Sequence, residues 1–151
     1  MLSGDQEALR QLVRYTAIPC TTGPLQFGGP PECIPGESDG TVVDALLVAS
    51  CEGHYVRPDG VDQALAYLLA AKPKLYGVYR ASPAGIAGDY TAIFSVEGPE
   101  AGQVDGKALV IGDDGAIVFI DFGCDASPGQ IAEHLGRQLA ATPVATSGSG
   151  S

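Results

Sequence analysis

Four cysteines, Cys20, Cys33, Cys51 and Cys124, hold the most definite chemistry in this sequence. Structural zinc sites take thiolates in pairs two to four residues apart, because one tight turn must aim both sulfurs at one ion. Here the closest pair brackets about a dozen residues, "TTGPLQFGGPPE", and the two histidines, His54 and His134, stand alone. A dithiol redox site would need Cys-x-x-Cys spacing and a helix N-terminus to depress a thiol pKa. Neither is visible, so the expectation is two disulfides in an oxidising compartment, extracellular or in the cell envelope, with buried free thiols as the alternative. No metal and no cofactor are expected.

Four cysteines allow three pairings. If "TVVDALLVASC" is extended, Val43, Ala45, Leu47, Ala49 and Cys51 share a face; in "AIVFIDFGC" so do Val118, Ile120, Phe122 and Cys124. Both cysteines then end apolar faces and meet in the core. That leaves Cys20 to Cys33, closing a loop rich in glycine and proline.

The remaining candidates are polar groups on or beside apolar strands. Asp121 in "VFIDFG" shares its face with Ile117 and Phe119; facing a pocket, it would be desolvated, its pKa raised, and suited to general acid or base work. The alternative is a strand-end carboxylate, solvated or hydrogen-bonded to a loop. Asp44 interrupts a second apolar strand, on the face of Val42, Leu46 and Val48. "CEGHYVR" gathers Glu52, His54, Tyr55 and Arg57, an acid-base grouping if enclosed and a surface turn if not. Tyr79, with Tyr76, Arg80 and Tyr90, would either line an aromatic pocket or pack structurally. His134, beside Ile131, reads as a helix-surface residue. The glycine-rich nucleotide loops, the paired-histidine zinc motif, the nucleophile elbow and the EF-hand loop are all absent from the sequence.

The elements that would position these groups follow from periodicity. Leu9, Leu12 and Val13 recur at helical intervals behind a Ser3 to Gln6 capping-box spacing, predicting a helix over residues 4–15. Residues 16–40 hold five prolines and five glycines and read as a loop without regular structure. A strand ending near Cys51 leads to a helix over 59–72, capped by Asp59, with Val61, Leu65, Leu68 and Leu69 as its apolar stripe. "LYGVYRAS", "DYTAIFSVE" and the two runs either side of Asp114-Gly115 read as strands, the last pair a tight hairpin. Ser127, Pro128 and Gln130 then start a helix over 127–141, striped by Ile131, Leu135 and Leu139. The order predicts an α+β domain: a curved antiparallel sheet of about five strands, helices on one side, in one domain over residues 1–141. Residues 142–151, containing "ATSGSGS", read as a flexible linker-like tail, and no signal peptide opens the sequence.

The opening "SGDQEALRQLV", followed by a strand and a meander, resembles the SnoaL-like, cone-shaped α+β families related to nuclear transport factor two. That resemblance implies a curved sheet wrapping a helix and enclosing a pocket. A cystatin-like arrangement of sheet on helix suits the element order as well.

Composition limits the function classes. The 45% hydrophobic share describes a folded chain of 151 residues, long enough to bury a core. A formal charge of -10 repels phosphate backbones, which argues against nucleic acid as a partner. No apolar run approaches the length of a membrane span, so no membrane insertion is expected. Two readings compete: a disulfide-stapled binding module whose partner is a protein or a small apolar ligand, and a small isomerase, hydratase or lyase. The enzyme would use Asp121 or Asp44 as base and Tyr79 or His54 as proton donor.

Overall fold

A computed structural model describes the backbone of residues 6–141 and the side-chain surroundings of residues 6–136. In chain order it contains α1 (Gln6–Leu12), β1 (Thr16–Pro19), β2 (Val42–Ala49), β3 (Gly53–Val56) and α2 (Pro58–Ala70). β4 (Lys74–Tyr79), β5 (Tyr90–Glu97), β6 (Val104–Ile111), β7 (Ile117–Asp121) and α3 (Pro128–Ala141) complete it. The local signals act as their chemistry requires. Ser127 Oγ accepts from the Gln130 N–H at 3.1 Å while Gln130 Oε1 accepts from the Ser127 N–H at 2.8 Å, a closed capping box. In the β6–β7 hairpin Gly115 takes a φ of 84°, the left-handed conformation that a turn there needs. α2 starts one residue before Asp59: Pro58 occupies the first turn behind Arg57, and no side chain caps it. The Ser3 cap lies outside the described residues.

The fold is α+β, with seven strands among the described residues rather than about five. Their order is β1-β2-β7-β6-β5-β4, with β3 also on β2. The two extra strands have four residues each; they sit where proline, glycine and the charged "CEGHYVR" dominate the composition, and their pairing partner, β2, supplies the order that their own sequences do not. Nor is the sheet wholly antiparallel. β2 and β7 run parallel, Leu47 to Ala49 beside Phe119 to Asp121, while β3 folds back along the other edge of β2.

Helices cover both faces instead of one. Leu9 of α1 and Val61, Leu65 and Leu68 of α2 pack with Leu46, Ala92, Phe94, Leu109 and Ile120 on the first face. Leu135 of α3 packs with Ile93 and Ala108 on the second. Strand alternation forces this split, since Ala92 and Phe94 point one way and Ile93 the other, and both sets are buried. A register shift between Val110 and Ile111 puts Ile117 into the first core together with Ile120. Ile117 therefore lies opposite Phe119 and Asp121, not beside them, as an unbulged strand would have it.

Candidate functional site

The disulfides join Cys20 to Cys33 and Cys51 to Cys124. The second forms for a different reason than the strand faces suggest. Leu46 and Val48, not Val43 and Leu47, share the first face with Ile120 and Phe122, so plain alternation would send Cys51 and Cys124 to opposite faces. A bend at Ser50 and a left-handed Cys124, φ 45°, bring them together beyond the strand ends, where both are exposed rather than in the core.

The first disulfide closes a loop that is more ordered than its composition implies. Cys20 N–H donates to Thr41 at 2.8 Å and Gly40 N–H returns to Cys20 at 2.9 Å. Thr21 bridges Glu32, giving and taking bonds with Pro31 and Cys33, both at 2.9 Å. Asp39 accepts from the Thr22 N–H at 2.8 Å, which holds its carboxyl below the ordinary 3.8. Glu37 accepts from the Arg57 guanidinium and from the Ile34 N–H, and the same bonds keep its carboxyl below 4.5. Arg57 follows β3 directly, so this ion pair ties the loop to the sheet. Although both sulfurs lie within 4.8 Å of a Glu37 carboxylate oxygen, sulfurs bonded to each other offer no thiolate to a metal.

This framework displays apolar side chains outward. Phe27 is 74% exposed, Leu25 52% and Ile34 50%. Phe27 stands edge-on to His54, ring centroids 6.2 Å apart, and His54 Nε2 is 3.2 Å from Glu52 Oε1. A groove of about 410 Å³ runs between Pro31, Cys33 and Ile34 of the loop, Tyr55 of β3 and Arg57 just after it.

Asp121, the last residue of β7, lines a separate and smaller cleft of about 220 Å³ with Ser50, Gly123, Gln130, Ile131 and His134. Burial pushes its carboxyl above the ordinary 3.8, opposed by a 2.8 Å bond from the Gly123 N–H and by Lys107 and His134. Both descriptions of a strand-end aspartate apply, since it is hydrogen-bonded to a loop and also borders a cleft.

The other acid-base candidates lie elsewhere. Asp44 is exposed on β2 opposite Ala17 of β1. His54 belongs to the Phe27 cluster on β3. Tyr79 packs among Ile93, Ala108 and Leu135, its ring above Gly77. None of the three borders the Asp121 cleft. The structure brings His134 to it, exposed on α3 as the sequence reading has it, and joins Glu37 to Arg57 across twenty positions. The only sequence signal for His134 is its spacing from Ile131, which places both on one helix face. No family model, curated protein or solved structure matches this chain.

Proposed function

We propose that this chain is a binding module of an oxidising compartment, extracellular or in the cell envelope, and that the loop from Cys20 to Thr41 is its recognition surface. One observation carries the reading: a loop fixed by a disulfide, a backbone bridge and the Glu37–Arg57 pair still holds Phe27, Leu25 and Ile34 in solvent. A loop ordered in advance loses little conformational freedom on binding, and large exposed side chains that become fully desolvated are the kind that anchor protein interfaces. The mostly apolar groove beside it gives a partner side chain somewhere to enter. Oxidised protein immobilised as bait should retain a partner from the exported protein fraction. Phe27→Asp with Leu25→Asp should release it and Tyr67→Asp, 66% exposed but on α2, should not. Equal retention by all three proteins would place recognition elsewhere.

A pocket enzyme is the second reading, favoured by the desolvated Asp121 beside His134 in an apolar cleft. Its base and proton donor would be those two residues, since Asp44, His54 and Tyr79 lie outside the cleft.

A further inference from the structure

β4 ends the sheet, with β5 as its sole strand neighbour among the described residues. Leu75, Tyr76 and Val78 of this edge are 55%, 51% and 56% exposed. The opposite edge is divided between two four-residue strands and carries Pro19, so it offers no comparable run of free backbone. β4 has six residues and shifts register between Leu75 and Gly77, which sets Leu75 and Val78, opposite Phe94 and Ala92, on one face; an exposed apolar edge of this kind is a template for another strand.

Charge selects the occupant. Between Asp62 and Asp89 the sequence holds no carboxylate but carries Lys72, Lys74 and Arg80, three of its eight basic residues, in a chain of formal charge -10. Arg10, Arg14 and Arg57 each face a carboxylate, and Lys107 donates to the Phe122 carbonyl at 2.7 Å. Among the described residues no ion pair engages Lys72, Lys74 or Arg80, although Glu97 borders the same surface as the two lysines. Arg80 lies over the Tyr90 ring at 5.6 Å. These three cations bracket the exposed edge, Lys72 and Lys74 at its start and Arg80 just past its end. Antiparallel self-pairing would set Lys74 against Arg80 of a second copy, like charge on like charge.

We propose that β4 accepts an extended segment of a partner protein, acidic at both ends and apolar between, which adds an eighth strand to the sheet. Main-chain bonds along the edge supply affinity, Leu75 and Val78 meet alternate side chains of the incoming strand, and the flanking cations fix its register. From Lys74 to Arg80 an extended chain covers roughly 20 Å, so the partner's acidic groups must be spaced alike. This edge lies at the opposite end of the sheet from the stapled loop, and the proposal is independent of that loop's role.

The test uses a fluorescein-labelled peptide of about nine residues, two acidic residues at each end with valine and threonine alternating between them. Anisotropy titration of the oxidised protein should give micromolar binding. Lys74→Glu with Arg80→Glu, both at exposed positions, should weaken it about tenfold or more, as should raising salt from about 0.05 M to about 0.5 M. Bound peptide should slow amide exchange at Tyr76 and Val78. Absence of binding, equal binding by a peptide with lysines at its ends, indifference to charge reversal, or a dimer that already protects β4 would each overturn the proposal.

Discussion

Removing the two disulfides in separate variants, Cys51→Ala with Cys124→Ala and Cys20→Ala with Cys33→Ala, sets two sources of stability against each other. Cys51 and Cys124 are exposed, whereas Cys20 is 3% exposed beneath its loop. Counted by burial alone, the Cys20–Cys33 bond should matter more. Chain entropy gives the opposite order. The Cys51–Cys124 bond spans 73 positions and restricts the unfolded chain by about 4.4 kcal/mol, while the 13-position Cys20–Cys33 loop restricts it by about 2.9 kcal/mol. The longer loop contains α2 and β3 to β7, and within the sheet the parallel contact of β2 with β7 also closes it, over only three residue pairs. Urea unfolding followed by far-ultraviolet circular dichroism, with slopes compared between variants, reads both losses directly. Against a typical total of about 5 to 15 kcal/mol, a loss of about 4 kcal/mol moves the midpoint far. A loss below about 1 kcal/mol for the exposed Cys51–Cys124 pair, or a larger loss for Cys20–Cys33, would refute the entropic account.

Three further outcomes follow from single groups. Asp121 has a raised pKa, so its charged form opposes folding, and that penalty fades as pH falls through the raised value toward the ordinary 3.8. The melting temperature of Asp121→Asn minus that of the parent should therefore be larger at neutral pH than in acid; an unchanged difference would show that Asp121 is not desolvated. Glu37 has a lowered pKa, so its contribution is present above the ordinary 4.5 and is lost as pH falls through the lowered value. Glu37→Gln should be the less stable protein at neutral pH, with the gap closing in acid, as thermal melts across pH would show. Gly123 has φ 85°, and a Cβ there would lie 2.2 Å from the Gly106 carbonyl oxygen, whereas Gly115, φ 84°, has open space. Gly115→Ala should cost about 1 to 2 kcal/mol and Gly123→Ala clearly more, measured by urea unfolding; equal costs would contradict the close approach.

What the sequence made legible was whatever depends on neighbours a few residues apart. The α2 stripe, the Ser127 capping box and the Asp114-Gly115 hairpin are local, and each stands where its residue pattern puts it. Long-range pairing was not legible. β1 and β3 are strands because β2 offers them partners on one edge, and the other edge of β2 pairs in parallel with β7, a strand far along the chain. The bulge at Val110 and Ile111 moved Ile117 away from Asp121, which no alternation rule can foresee without the partner strand. In the same way residue type alone nominates acid-base candidates, but only the fold separates His54 from Asp121 and brings His134 to the latter.

The most direct measurement of recognition by the stapled loop is photocrosslinking from position 27. A benzoylphenylalanine in place of Phe27, 74% exposed in the structure, should give one discrete adduct with an exported protein when the Cys20–Cys33 bond is intact. The yield should fall at least about tenfold when those two cysteines are replaced by alanine, because a loosened loop must be ordered again at the moment of binding. The same label at Tyr67 on α2 should give no such adduct. An adduct of equal yield from position 67, or one indifferent to the Cys20–Cys33 bond, would contradict the account.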